Sequence, residues 1–398
     1  MSYFDDHFDA SQSGFATIAI HSHQKPDPTT GAVIQPIYQT STFAQETVLE
    51  AGEFDYTRCG NPNMNALEGV LADLEGGVRG FAFSSGLGAL TTLTTALFKP
   101  GDHIVSCSDV YGGSFGVFDK ILRKYDVQTD FVDFRDMAAL EAALTDKTKA
   151  LHVETPTNPN LKLIDIAAVA KLAKANGLLT IVDNTFATPC LQRPFELGAD
   201  IVWHSTTKYI GGHSDVVGGA IIIKDKRYEE VLFMHQKLIG ANPDPFACWL
   251  ALRGLKTLPI RMNAHQQNAM AVAEFLKTHP AVDQVIYPGL PEHPDHELAK
   301  RQMHGFGGMV TLTIKGGPSE VVKVTQALKL FTVAVSLGGV ESLVCYPYKM
   351  THGSMPDDFK LKTGILPNML RLSVGIEDID DLKRDLKQAL DVVVGATV

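Results

Sequence analysis

The chain is predicted to be an α/β protein with a mostly parallel central sheet and a smaller C-terminal α+β domain. Three observations predict this. Short apolar runs alternate with helical patterns from the region of "GFAFSSG" to "GGAIII". Each run stops at Gly, Ser, Asp or Asn, as strands feeding crossover loops do. Beyond "LRGLKTLP" the alternation gives way to strands and helices in mixed order. Runs without polar alternation imply strands buried on both faces, hence βαβ units with helices covering the sheet. The chain divides into an extended arm over 1–60, an α/β domain over 61–256 and an α+β domain over 257–398.

In chain order, "QKPDPTTGAVIQPIYQTSTF" is rich in Pro, Thr and Gln and has little periodicity, so the arm is expected to lie against something and not to form a core. "NPNMNALEGVLADLEGG" carries a helix start, an apolar stripe and a closing glycine pair. Strands follow at "GFAFSSG", "HIVSCSD", "KALHVETP", "LLTIVDN", "ADIVWHS" and "GGAIII", with helices between them such as "IDIAAVAKLAKANG". The stretch "FACWLALRGLKTLPIRMNAHQQNAMAVAEFLKTHP", with Gly254 and Pro259 inside it, reads as a long helical bridge. In the last part, "GGMVTLTIK" and "MLRLSVGIE" read as strands, and "SEVVKVTQAL" and "DIDDLKRDLKQAL" as helices.

Composition narrows the function. A formal charge of −10 without any block of Lys and Arg disfavours nucleic acid as a partner. The acidic start "MSYFDDHFDASQSGF" is not a signal peptide, and no apolar run approaches the ~18 residues of a membrane helix. Cys59, Cys107, Cys190, Cys248 and Cys345 are scattered and lack a CxxC pair, so reduced thiols in a cytoplasmic protein are expected. No zinc spacing is present; His293 and His296 in "PEHPDHELAK" read as a solvated loop. No metal site is expected.

In open parallel sheets, ligands bind beyond the carboxyl ends of the strands. Ser84-Ser85-Gly86-Leu87-Gly88 follows one strand and opens a helix, so free N–H groups there face an anion such as phosphate, unless the segment is a plain glycine turn. Asp183 ends another strand, where a buried acid needs a cation or several donors, a helix cap being the ordinary alternative. In "ADIVWHSTTKYIGGHSDVVGG", Lys208 follows a third strand end behind Ser205 and Thr207. A lysine there is either a loop residue in water or, desolvated, a nucleophile towards a carbonyl. Together, a phosphate cradle, an acid for a ring nitrogen and a carbonyl-reactive lysine meet the demands of pyridoxal 5'-phosphate. Tyr111 in "DVYGG" offers an aromatic face.

The segment around Lys208 resembles the lysine signature of the Cys/Met-metabolism family of pyridoxal-phosphate enzymes. That family includes cystathionine γ-lyase, cystathionine γ-synthase and methionine γ-lyase. The likeness runs through "PIYQTSTF", "YTRCGNPN", "FSSGLGAL", "ETPTNP", "VDNTFATP", "YPGL", "SLGGVESL", "MTH" and "RLSVGIE". It implies a PLP-dependent transferase-like fold of the aspartate aminotransferase type. It also implies Lys208 as the covalent anchor and base, Asp183 at the pyridine nitrogen, and Tyr111 stacked on the ring and serving as acid. Ser85, Gly86, Leu87, Ser205 and Thr207 would hold the phosphate, with Asn158 near the cofactor hydroxyl. Tyr56 and Arg58 would reach the phosphate of a neighbouring subunit, so the resemblance implies a homo-oligomer, at least a dimer and by likeness a homotetramer. Arg371 would clamp the substrate α-carboxylate through a bidentate fork, with Ser336 beside it.

Two positions bear on the substrate. Cystathionine-processing members carry an arginine five residues after the stacking tyrosine and a glutamate just before "SLGG"; this chain has Gly116 and Val335. An uncharged distal pocket suits a γ-thio-substituted amino acid of the L-methionine or L-homocysteine type, cleaved to a thiol, 2-oxobutanoate and ammonia. "SLGGVESL" is otherwise the cystathionine form, and Gly113 stands where methionine γ-lyases have cysteine, so cystathionine γ-lyase and cystathionine γ-synthase are the alternatives. Lys237 in "HQKLIG" either restores charge to the pocket or faces water. A nucleotide-binding protein with phosphate at Ser85–Gly88 and a non-catalytic scaffold are the rival classes.

Overall fold

The computed structural model describes residues 8–50 and 52–394. Its central sheet has seven strands: β1 (Arg79–Phe83), β2 (His103–Cys107), β3 (Gln128–Val132), β4 (Thr148–Glu154), β5 (Leu179–Asp183), β6 (Ile201–His204) and β7 (Gly219–Ile223). Their spatial order is β1-β7-β6-β5-β4-β2-β3. Strands β2 to β6 run parallel, while β7 is antiparallel to both its neighbours, β6 and β1. The apolar runs behave as their composition dictates: Ile221, Ile222 and Ile223 are wholly buried, each contributing roughly 1.5–3 kcal/mol. Edge strand β3 escaped the sequence pattern because none of its five residues is fully buried and two, Gln128 and Asp130, are polar and exposed.

Local signals explain the helix ends. Asn61 accepts the N–H of Asn63 to start Pro62–Glu75, and Gly76 (φ 76°) ends it in the left-handed conformation that spares a Cβ clash. The long helical pattern proves to be two helices, Pro245–Leu255 and Leu258–Lys277. Pro259 starts the second one, where a missing N–H costs nothing.

A second sheet is built from β8 (Val282–Ile286), β9 (Met309–Ile314), β10 (Thr332–Val333), β11 (Leu343–Cys345) and β12 (Met369–Ser373), ordered β10-β11-β12-β9-β8. All its pairs are antiparallel except β10 with β11. Among its described residues the expected arm contains a 3₁₀ turn, Ala10–Gln12, one short α-helix, Phe15–His21, and beyond it, up to Pro62, an isolated bridge between Thr42 and Tyr56. Val33, Val48 and Leu49 of that segment expose apolar side chains. No described helix is long and apolar enough to cross a membrane. His293 and His296 are each spent on local backbone, and no described group of His, Cys, Asp and Glu could hold a metal ion. No cysteine is in a disulfide among the described residues.

Candidate active site

The carboxyl ends of β1, β4, β5 and β6 open on a cavity of about 450 Å³, closed on the far side by residues of the second sheet and its loops. Its walls include Ser85, Gly86, Leu87, Tyr111, Asn158, Asp183, Ser205, Thr207, Lys208, Val335, Ser336 and Arg371. Twelve of the residues expected from sequence therefore converge.

One end is shaped for an anion. Ser85 caps helix Gly86–Leu97, its Oγ accepting the N–H of Gly88 at 2.9 Å, so the helix presents its first turn to the cavity. Gly86 has to be glycine: a Cβ there would fall 2.8 Å from Ser205 Cβ. Ser205 donates its backbone N–H to Thr185 Oγ1 (2.9 Å), and its side-chain hydroxyl makes no hydrogen bond among the described residues. Thr207 differs from expectation, since its Oγ1 both accepts from Gly218 N (3.0 Å) and donates to Gly218 O (3.2 Å). It braces the loop and has to turn its hydroxyl to meet a phosphate.

Asp183 is buried at the end of β5, with Oδ1 accepting the N–H of Thr185 at 2.9 Å. Burial raises its carboxyl to about 6, against the lowering effect of Thr185 and His204. A cationic ring nitrogen would reverse that rise. Lys208 lies in the 205–218 connection between β6 and β7, neighbours in one sheet. Its Nζ donates to Ser336 Oγ at 2.6 Å, and burial followed by the Arg371 charge lowers the amine to about 8. Ser336 adopts φ 80°, a region non-glycine residues rarely enter, and its carbonyl accepts from Arg371 Nη2 at 2.8 Å.

Arg371, on β12, is 1% exposed. Its Nη1 donates to Asn158 Oδ1 at 2.8 Å, Nε has no partner, and no described carboxylate forms an ion pair with it. A buried cation without an anion is costly, and a ligand carboxylate would complete it. Burial lowers its own proton affinity. Burial raises the Tyr111 phenol above its ordinary value, against the lowering effect of the Arg371 charge. A side chain at Gly113 would strike the Tyr111 ring at 2.4 Å, so that glycine leaves room for the ring where it stands.

Three expected residues lie elsewhere. Tyr56 and Arg58 line a separate cleft of about 390 Å³, with the Arg58 guanidinium 5.3 Å from the Tyr56 ring centroid. Arg58 Nη1 is held by the carbonyl of Lys237 at 2.7 Å, and Lys237 itself does not line the cavity. Gly116 ends the helix Gly112–Gly116 away from the cavity walls, and a Cβ there meets open space.

Sequence reasoning missed Glu154, at the end of β4. It is buried, and burial followed by the Asp183 charge holds its carboxyl well above the usual range. Like Asp183, it is an acid closing a buried strand, and that signal alone could have found it. Also missed was Arg261, 3% exposed, whose Nη1 binds Tyr209 O and Nη2 Gly254 O, both at 2.7 Å, steadying the chain just after Lys208.

These features fit pyridoxal 5'-phosphate: a helix N-terminus and a free hydroxyl for phosphate, a cavity-lining acid for the ring nitrogen, an aromatic face and a desolvated amine. Comparison with known proteins agrees. The family model for Cys/Met metabolism PLP-dependent enzymes matches residues 16–391. The chain is 50% identical over 387 residues to a cystathionine gamma-synthase of Mycobacterium leprae, covering 95% of this chain and 97% of that one. It is 50% identical over 375 residues to a cystathionine beta-lyase of Lactococcus lactis subsp. cremoris, covering 94% and 98%. The solved cystathionine gamma-lyase from Lactobacillus plantarum, complexed with L-serine, superposes with a TM-score of 0.92 at 46% identity, over 95% of this chain and 99% of that one.

Proposed function

We propose that this chain, which belongs to the Cys/Met metabolism family of PLP-dependent enzymes, is a carbon–sulfur lyase that eliminates a thiol from the γ-carbon of an L-amino acid, with 2-oxobutanoate and ammonia as the other products. The observation that carries this reading is the placing of Lys208 and Arg371 in one cavity. A desolvated amine and a buried guanidinium lacking an anion together suit the α-amino and α-carboxylate ends of an amino acid. The relatives' names favour L-cystathionine as the first substrate to test.

Bound pyridoxal phosphate supplies an electron sink for negative charge at the substrate α-carbon. Lys208 would hold the cofactor, and its freed amine would take the α-proton and move a proton at the β-carbon. Asp183 would hold the proton on the ring nitrogen. Ser85, Gly86, Leu87 and Ser205 would bind the phosphate, and Tyr111 would cover the ring face. A protonated Tyr111 is a donor to the departing thiolate and not a base. Arg371, tethered by Asn158 and Ser336, would orient the carboxylate. Tyr56 and Arg58, set apart from the cavity of their own chain, would complete the phosphate site of a neighbouring subunit in a homo-oligomer. A cytoplasmic setting suits the five unpaired cysteines.

Val335 favours a second reading, in which methionine or homocysteine is preferred. It lines the cavity, is 58% exposed and brings no charge to meet a distal zwitterion. Both readings are tested by kcat/KM for cystathionine, methionine and homocysteine, with 2-oxobutanoate and pyruvate measured separately. The γ-lyase reading expects 2-oxobutanoate. Pyruvate from cystathionine would replace it with β-elimination, and faster joining of cysteine to an activated homoserine ester would replace it with a synthase.

A further inference from the structure

Strands β4 and β5 are paired in register, so Glu154 stands directly opposite Asp183. The two acids occupy equivalent strand ends, yet their oxygens are used differently. Asp183 engages one oxygen with Thr185. Glu154 engages both: Oε2 accepts the backbone N–H of Tyr111 at 2.9 Å, and Oε1 accepts that of Asn158 at 3.1 Å. These two backbones belong to different working parts of the cavity. Tyr111 precedes the helix Gly112–Gly116 and carries the aromatic face. Asn158 carries, on its side chain, the acceptor that holds Arg371 Nη1.

We propose that Glu154 is a positioning residue that fixes the spacing between the aromatic face and the carboxylate-binding arginine, by holding the backbones of Tyr111 and Asn158 with its two oxygens. The ionised carboxylate suits this task because it accepts on both oxygens and donates on neither, and the two backbone N–H groups it holds are themselves what pulls its proton affinity down against burial and the Asp183 charge. An amide retains one acceptor and turns an NH₂ against the other N–H. The role of Arg371 towards substrate rests on the lyase reading above; the effect through Tyr111 on the cofactor does not.

The test is Glu154→Gln, studied as purified holoenzyme after the cofactor is removed and titrated back. Cofactor Kd is expected to rise about tenfold, with a shifted visible band, and KM for the amino-acid substrate about tenfold, as for loss of one charged hydrogen bond on each side. In an Asn158→Ala background the KM increment from Glu154→Gln should vanish while the cofactor effect persists, because only the Arg371 branch runs through Asn158. Equal KM increments in both backgrounds would overturn the proposal, as would a lower Tm with Kd and KM both within twofold of wild type. If Glu154→Gln does not fold, Glu154→Asp, which keeps the charge but is one methylene shorter, takes its place in the same cycle, with the same results expected and the same results overturning the proposal. A changed cofactor Kd in a protein that cleaves no sulfur amino acid would refute the lyase reading and leave the Tyr111 branch standing.

Discussion

At the amino ends of its strands the central sheet carries a groove of about 1270 Å³, far larger than the cavity of about 450 Å³ at the carboxyl ends. The groove is bordered by Lys99, Lys149, Lys171, Lys174, Lys224 and Arg227, all exposed. Its acids are occupied locally: Asp102 accepts the N–H of Lys99, and Asp200 that of Thr180. Helices Gly86–Leu97 and Ile166–Ala175 end nearby, and Lys174, in the last turn of the second, complements the negative helix terminus. The carboxyl-end cavity has fewer charges, but they are withheld from water: Asp183, Glu154 and Arg371 are all buried. Size therefore does not mark the chemistry. Charges in solvent are screened by water, whereas a desolvated group is altered and held in place.

The contrast can be broken or sharpened by mutation. Lys208→Ala should have the largest effect, lowering turnover at least ~10⁴-fold, because in the proposed mechanism one residue both anchors the cofactor and moves protons. Steady-state rates together with loss of the covalent cofactor absorbance check it, and near-normal turnover would discard the mechanism. Arg371→Leu comes next. Removing charge-assisted hydrogen bonds to a carboxylate should raise KM by about 10–100-fold, while an unchanged KM would place the carboxylate elsewhere.

A smaller effect concerns pH. Lys208 is lowered to about 8, so its amine is ammonium below that value and a free nucleophile above it. The rate at which apo-protein captures pyridoxal phosphate should climb as pH rises through about 8, as stopped-flow absorbance would show; a rate flat from pH 6.5 to 9.5 contradicts the assignment. Smallest of all, Lys171→Glu with Lys174→Glu should leave kcat/KM within twofold. A larger change would give the amino-end groove a function.

Much of this arrangement was legible in the sequence because strand ends announce themselves. Apolar runs stopping at Ser85, Asp183 and Ser205 place those residues on one edge by topology alone, and Lys208 follows from the same rule. Glu154 was equally available but sits before "TPTNP", whose two prolines and asparagine mark a turn more loudly than the acid marks a strand end. Thr207 shows another limit: spacing locates a hydroxyl but does not reveal that Gly218 already occupies it. Gly116 shows a third, since counting from Tyr111 gives a place on a helix and not the direction it faces. Strands β10 and β11, of two and three residues, are too short to impose a period.

The 205–218 connection ties Lys208 to two adjacent strands, and Arg261 grips the carbonyl of the next residue. The main chain at Lys208 is consequently a fixed post, and travel is left to the four rotatable bonds of its side chain. In the proposed mechanism, a proton carried from one substrate carbon to the next would cross a distance that such a tether spans without the post giving way. Reach and steadiness are thus assigned to different parts of one residue, and a shorter amine on the same post would keep the steadiness and lose the reach.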